Sequence, residues 1–198
     1  MVKTDLIKIH EVFLQEDYIP QPERHLNNYR DGYHYEWVLN KLNKNLSKTI
    51  LDIGSYDGWL DILLAKKGFK VEGIELIRAL AKAAEKGAKE NHVEYEVHVG
   101  FFEDIVLNKK YNAVISFETL EHVYIESVPN YISKMERLCN GFIGISLPDQ
   151  DCKLNTQHRW TPTEELIKGL FGKKNDFNLE YKEYSNNIPS NWFISYSI

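Results

Sequence analysis

Residues Thr49–Leu60 read TILDIGSYDGWL, an apolar run that stops at a glycine, turns between Gly54 and Gly58, and restarts as a helix. No other stretch limits the possible folds as strongly. A strand built on Ile50, Leu51 and Ile53 must be buried, and the helix that follows, with Leu60, Leu63 and Leu64 inward and Gly68 as its stop, supplies cover. The unit then repeats. FKVEGIE, VEYEVHVG, YNAVISF and GFIGISL read as further strands, the last closed by Pro148, with LIRALAKAAEKGAKEN and VPNYISKMERLCN as helices among them. TPTEELIKGLF reads as a helix with Thr161 as N-cap, Pro162 at its first position, and Glu164 and Glu165 in its first turn. FNLEYKEY and NWFISYSI alternate as two strands joined through SNNIPS. Upstream, PQPER at Pro20–Arg24 breaks the chain, and Trp37, Val38, Leu42 and Leu46 form the stripe of a helix from about Tyr33 to Leu46. The expected class is α/β: a doubly wound, mostly parallel seven-stranded sheet ending in an antiparallel hairpin. In such sheets ligands lie beyond the carboxyl ends of the strands.

The turn after the first strand is not a dinucleotide fingerprint. G-x-G-x-x-G started at Gly54 needs glycine at 56 and 59, where Tyr56 and Trp59 stand, and no G-x-x-x-x-G-K-[ST] occurs. Gly54 and Gly58 still permit a sharp turn and close approach of a ligand. Two carboxylates, Asp52 and Asp57, suit a cationic or hydroxyl-rich ligand better than a phosphate. After the second strand stands Glu75, an address at which an acid can take both ribose hydroxyls; the helix dipole would also favour it there. After the third strand comes GFFEDI. One of Phe101 and Phe102 is expected in the core, and Phe102, beside Glu103 and Asp104, is expected to shelter a purine whose exocyclic amine the acids accept.

The run ILDIGSYDG, VEGIE, GFFEDI and YNAVISFETLEHV resembles the class I S-adenosylmethionine-dependent methyltransferases, over about residues 47–198. The resemblance implies a Rossmann-like core at 47–198, preceded by a helical lid segment at 1–46 within a single domain. It implies S-adenosylmethionine as cofactor, with Gly54, Ser55, Tyr56 and Gly58 around the methionine part, Asp52 beside them, Glu75 on the ribose, Phe102, Glu103 and Asp104 toward the adenine end, and Phe117 as a further cofactor contact. Tyr56 departs from the family, which often has a glycine there. The cofactor carries a sulfonium and an ammonium and no phosphate, in keeping with an acidic loop.

Glu118, Glu121 and His122 form E-x-x-E-H, which on a helix shares one face. With His158 this pattern resembles the metal site of small-RNA 3′-end 2′-O-methyltransferases, and it is also similar to ubiquinone-pathway O-methyltransferases. Glu118, Glu121, His122 and His158 are thus candidate ligands of a divalent cation (Mg, Mn or Zn). The alternative reads Glu121, His122 and His158 as catalytic residues without metal, a histidine taking the proton from a hydroxyl. Either way sulfur, methyl and acceptor oxygen must lie in line. The Asn/Asp-Pro-Pro-aromatic stretch of DNA-amine methyltransferases and the Pro-Cys pair of cytosine C5 methylation are absent from SFETLEHV. His92 and His98 read as structural or solvated; His34 lies in NNYRDGYHYEW, whose Tyr and Arg either reach the ligand from a lid helix or serve its packing; and Asn191 and Trp192 read as either the border of an acceptor pocket or packing.

A net charge of −5 argues against a broad surface for nucleic acid. With only Cys139 and Cys152, no signal-peptide core and no run of apolar residues long enough to span a bilayer, a cytoplasmic protein is expected, as monomer or homodimer. The leading expectation is O-methylation of a small-molecule or sugar hydroxyl. Metal-dependent 2′-O-methylation of an RNA end and a non-catalytic, cofactor-binding partner of a methyltransferase stand beside it.

Overall fold

The computed structural model describes residues 18–44, 48–151, 153, 155, 157–184 and 188–198. The chain divides into two compact units, one ending at Val106 and one starting at Leu107. Within the first lie α1 (Pro22–Leu26), α2 (Tyr29–Lys44), β1 (Thr49–Ile53), α3 (Trp59–Lys66), β2 (Lys70–Glu75), α4 (Arg78–Glu90) and β3 (Glu96–Val99). β1 pairs in parallel with β2, from Thr49 opposite Lys70 to Ile53 opposite Ile74, and β2 with β3, Glu75 opposite Val99. These registers bring three carboxyl ends level, so Gly54, Glu75 and Gly100 emerge at the same end. Ile50, Leu51, Ile62, Leu64, Ala84 and Ala88 are buried, each large side chain contributing about 1.5–3 kcal/mol. Small residues on α4 let it approach α3: a Cβ on Gly58 would lie 2.7 Å from that of Ala84.

The second unit holds β4 (Tyr111–Phe117), two single-turn 3-10 helices at Leu120–His122 and Ile125–Ser127, α5 (Val128–Leu138), β5 (Cys139–Pro148), α6 (Glu164–Phe171), β6 (Asn175–Lys182) and β7 (Asn191–Ser197). β4 and β5 are parallel, while β7 runs antiparallel to both β5 and β6. The strand order is β3-β2-β1-β4-β5-β7-β6, the expected seven-stranded sheet with its antiparallel hairpin. No helix among the described residues is long and apolar enough to cross a membrane.

Two boundaries differ from expectation. The helix expected from Tyr33 begins at Tyr29, where the Asn28 side chain accepts from the Arg30 amide at 3.0 Å; Leu46 lies outside the described residues, as do residues 185–187 of the hairpin connector. The α6 cap is Thr163, not Thr161. Its hydroxyl accepts from the Leu166 amide at 3.3 Å, the usual N-cap reach, which leaves Pro162 before the helix instead of at its first position.

One helix position broke the expected pattern. Asp61, in the middle of WLDILLAK, is fully buried beside Asp52, with the Tyr95 hydroxyl close by. Gly73 makes room for this cluster: a Cβ there would lie 1.9 Å from the Tyr95 oxygen and 2.6 Å from Ser55 Oγ. Burial raises both carboxyls, Asp52 to about 7 and Asp61 well above the usual carboxylate range, and the Asp52 charge raises Asp61 further. Asp61 therefore keeps its proton beside the Asp52 carboxyl. Because the folded chain holds these protons more tightly than the unfolded one, their contribution is complete below the unfolded carboxylate range and lost as pH rises through about 7. Asp61→Asn supplies a permanent N–H donor to Asp52. It is expected to raise stability at pH 8 by about 1–2 kcal/mol relative to wild type and to shrink the gap between pH 5.5 and pH 8 in urea unfolding. An unchanged gap would contradict the retained proton.

Candidate active site

In the first unit the glycine turn is wired to the end of β2. Gly54 and Ser55 amides both donate to the Ile74 carbonyl, at 2.8 and 3.1 Å, and the Gly58 amide to the Ser55 carbonyl at 2.9 Å. The Tyr56 amide donates to Glu75 Oε2 at 2.8 Å, and the Ile77 amide to Glu75 Oε1 at 2.7 Å. These loop amides are spent inside the protein, so the turn presents no row of N–H groups to a phosphate. Gly54 and Gly58 take left-handed φ values of 84° and 76°. Tyr56 keeps the same conformation, φ 55°, at a cost of roughly 1–2 kcal/mol. The tyrosine thus preserves the backbone that a glycine would give, and projects a half-exposed ring.

Glu75 is 6% exposed. Burial raises its carboxyl to about 7, against the lowering effect of the two backbone donors. Each oxygen accepts one amide and keeps a second lone pair, which is what a ribose diol needs. The loop acids are both buried: Asp52 lies beside Asp61, and Asp57 accepts from the Tyr18 hydroxyl. Ser55 turns inward toward Gly73. The two phenylalanines are exchanged: Phe102 is buried and Phe101 half-buried, because the turn after β3, closed by the Asp104 amide on the Phe101 carbonyl at 2.9 Å, sends Phe102 into the core. Glu103 and Asp104 are exposed. The N-terminal segment of the same unit packs on α3 and α4: Pro20 against Gly87, Glu23 paired with Lys66, and the His25 ring stacked on Trp59 at 4.7 Å.

In the second unit a ladder of hydrogen bonds folds residues 157–160 over the 3-10 turn. His122 Nδ1 donates to the Gln157 carbonyl at 3.2 Å, the Arg159 amide to the Glu121 carbonyl at 2.8 Å, and Trp160 Nε1 to the Leu120 carbonyl at 3.2 Å. This is how a histidine 36 residues downstream, as the numbering counts, reaches His122: the two rings meet edge to face at 5.1 Å. Glu121, His122 and His158 each offer a ligand atom within 4.8 Å of the others. Glu121 is 1% exposed, and its Oε1 lies 3.6 Å from His122 Nε2. With Nδ1–H committed to a carbonyl, Nε2 carries the lone pair toward this cluster. His158 Nε2 accepts from Asn155 at 2.9 Å, and burial lowers the pKa of this ring, against the raising effect of Glu118.

Glu118 departs from the expected set. The segment is a single 3-10 turn at Leu120–His122, not an α-helix, and Glu118 precedes it at φ 50°. It therefore stands outside the cluster that the other three form. Its Oε1 accepts from Asn191 Nδ2 at 2.6 Å and from Ser146 Oγ at 2.9 Å. Phe117, expected beside the cofactor, packs edge-on to Phe193 at 6.5 Å. Two imidazole nitrogens and one carboxylate fit a first-row transition ion such as zinc better than magnesium, which prefers oxygen. Sequence reasoning missed Tyr18, Asp61, Tyr95 and Ser146. Asp61 alone had a readable signal, a lone acid on the inward side of an apolar helix.

The profile of a methyltransferase domain family matches residues 24–177. The ubiquinone biosynthesis O-methyltransferase of Rickettsia akari (strain Hartford) is 34% identical over 99 residues, covering 50% of this chain and 39% of the relative. The chain thus spans well under half the length of that curated relative. Magnesium protoporphyrin IX methyltransferase (ChlM) from Synechocystis PCC 6803 with bound SAH superposes with a TM-score of 0.70 at 18% identity, over 98% of this chain and 94% of that one. An S-adenosylmethionine-dependent methyltransferase from Clostridium acetobutylicum ATCC 824 superposes with a TM-score of 0.69 at 10% identity, over 98% of each chain. The structural likenesses carry the fold and the profile carries the family: the chain belongs to the methyltransferase domain family, as a class I, S-adenosylmethionine-dependent member.

Proposed function

We propose that the chain transfers the methyl group of S-adenosylmethionine to a hydroxyl of a small molecule. The observation that carries the reading is His122: its Nδ1–H is fixed on a backbone carbonyl and its Nε2 lone pair faces a buried carboxylate and a second imidazole. That is the arrangement of a general base. His122 Nε2 takes the hydroxyl proton as oxygen attacks the methyl carbon. The carbon–sulfur bond breaks, its electron pair returns to sulfur, and the neutral thioether leaves. Glu121 stabilises the imidazolium that forms, and His158, with its pKa lowered by burial, stays neutral beside it. Glu75 holds the ribose diol of the cofactor, and Glu103 or Asp104 takes the adenine amine. Residues 18–44 act as a lid segment; the Tyr18, Glu23 and His25 contacts to the glycine turn and α3 support this.

The name of the Rickettsia relative supports a hydroxyl acceptor. The cluster of Glu121, His122 and His158 would also hold a divalent cation, which when bound would acidify a coordinated hydroxyl. The test is turnover of S-adenosylmethionine to S-adenosylhomocysteine with 3,4-dihydroxybenzoate as a catechol probe, with and without excess chelator. Product methylated on oxygen supports the reading. Cofactor binding no tighter than millimolar, or product methylated only on nitrogen with an amine probe, would sink it.

A further inference from the structure

A second group of ligating side chains lies in the first unit, separate from the cluster of Glu121, His122 and His158. The parallel register sets Glu72 on β2 directly opposite Glu96 on β3. His98 is two residues beyond Glu96, so strand alternation puts all three side chains on one face of the sheet. The His98 Nε2 atom lies 3.4 Å from Glu72 Oε2 and 3.8 Å from Glu96 Oε1. Each of the three residues offers a ligand atom within 4.8 Å of the others. Only the shorter of the two contacts reaches hydrogen-bond range, and that one is long. Three donors thus converge on a shared space more than they bond to one another. Two carboxylates directly across from each other on neighbouring strands repel. A cation between them converts that repulsion into attraction.

We propose that Glu72, Glu96 and His98 form a zinc-class divalent metal site that staples β3, the outermost strand of this end of the sheet, to β2. The donor set argues for the ion. One imidazole nitrogen and two carboxylate oxygens, with water completing a tetrahedron, suit Zn2+, whereas Mg2+ and Ca2+ prefer oxygen alone. The place gives the site its consequence. Glu72 is three residues before Glu75, and His98 two before Gly100, whose amide donates to the Glu75 carbonyl at 3.0 Å. A bound ion fixes the spacing of the two strands whose ends carry Glu75 and the turn with Glu103 and Asp104. β3 is only four residues long, so its own ladder with β2 is short, and it gains from a cross-strand tie.

The test is calorimetric titration of the full chain with ZnCl2, comparing wild type, His98→Ala, Glu96→Gln and His158→Ala. His158→Ala removes a ligand of the other cluster and is expected to retain one zinc equivalent. His98→Ala is expected to lower the zinc bound at saturation by one equivalent, and Glu96→Gln to weaken that equivalent by about 10-fold or more. Wild type is also expected to show the His98 ring resonances shifting as that equivalent of Zn2+ is added, a reading that needs no variant to fold. Equal stoichiometry and affinity in wild type and His98→Ala, unmoved His98 resonances, or binding only above about 1 mM would each overturn the site.

Discussion

His122→Ala is expected to reduce turnover by about 10²- to 10⁴-fold while leaving S-adenosylmethionine affinity within about 3-fold of wild type. The split follows from the placement of the residue. His122 belongs to the second unit, with its Nδ1–H on the Gln157 carbonyl and its Nε2 beside Glu121, while the residues proposed for the cofactor's ribose and methionine parts belong to the first. A base acts on the reacting hydroxyl and does not hold the donor, so its loss lowers kcat and kcat/KM together. His158→Ala separates the two versions of the chemistry. If the proton goes directly to His122, His158→Ala costs less than His122→Ala, and excess chelator leaves the wild type unchanged. If a cation held by Glu121, His122 and His158 acidifies the hydroxyl, both variants fall to a similar level and chelator reproduces that level. A His122→Ala enzyme with unaltered turnover in the absence of metal removes this histidine from the mechanism.

What the sequence disclosed, and what it hid, divides along physical lines. Periodicity reports burial, so the strands and helices of the sheet were readable: apolar runs such as ILDI and AVISF have few other places to go. The same holds for Gly54 and Gly58, since turns that need a positive φ select glycine. Tyr56 shows where that logic stops. Its identity departs from the family glycine, yet it takes the left-handed backbone a glycine would give, with its amide held by Glu75 Oε2. For Asp52 and Asp57 the one-dimensional reading supplies the charge but not the surroundings: only the fold reveals that Asp61 lies beside the first and that the Tyr18 hydroxyl donates to the second. E-x-x-E-H pointed to residues of which the fold gathers Glu121 and His122 beside His158, but the helical spacing rule assumed an α-helix. A single 3-10 turn keeps Glu121 and His122 with His158 and leaves Glu118 to Ser146 and Asn191, residues contributed by two strands distant in the sequence. Contacts of that range are set by sheet order, which no local spacing encodes.

Glu75→Gln is expected to weaken S-adenosylmethionine and S-adenosylhomocysteine binding by about 100-fold, the scale of one or two hydrogen bonds to a charged acceptor. In the wild type both carboxylate oxygens accept backbone amides and retain lone pairs for the ribose hydroxyls. A glutamine replaces one of those acceptors with an NH2 that must face either the Tyr56 amide or the Ile77 amide. The pH dependence gives the prediction a second edge, because affinity and stability move in opposite directions. Burial raises this carboxyl to about 7, so the folded chain without ligand holds the proton more tightly than the unfolded chain does. Its contribution to stability is therefore present at low pH and lost as pH rises through about 7. Cofactor binding requires the ionised form, so wild-type affinity is expected to rise over the same interval and to level off above it. Isothermal titration with S-adenosylhomocysteine from pH 5.5 to 8.5 measures the first trend, and thermal unfolding without ligand the second. In Glu75→Gln the affinity profile should lose its step near pH 7, and the fall in stability between the ordinary carboxylate range and pH 7 should become shallower. A glutamine variant that binds as tightly as wild type, with the step intact, would place the ribose on another residue and leave Glu75 as a brace for the turn.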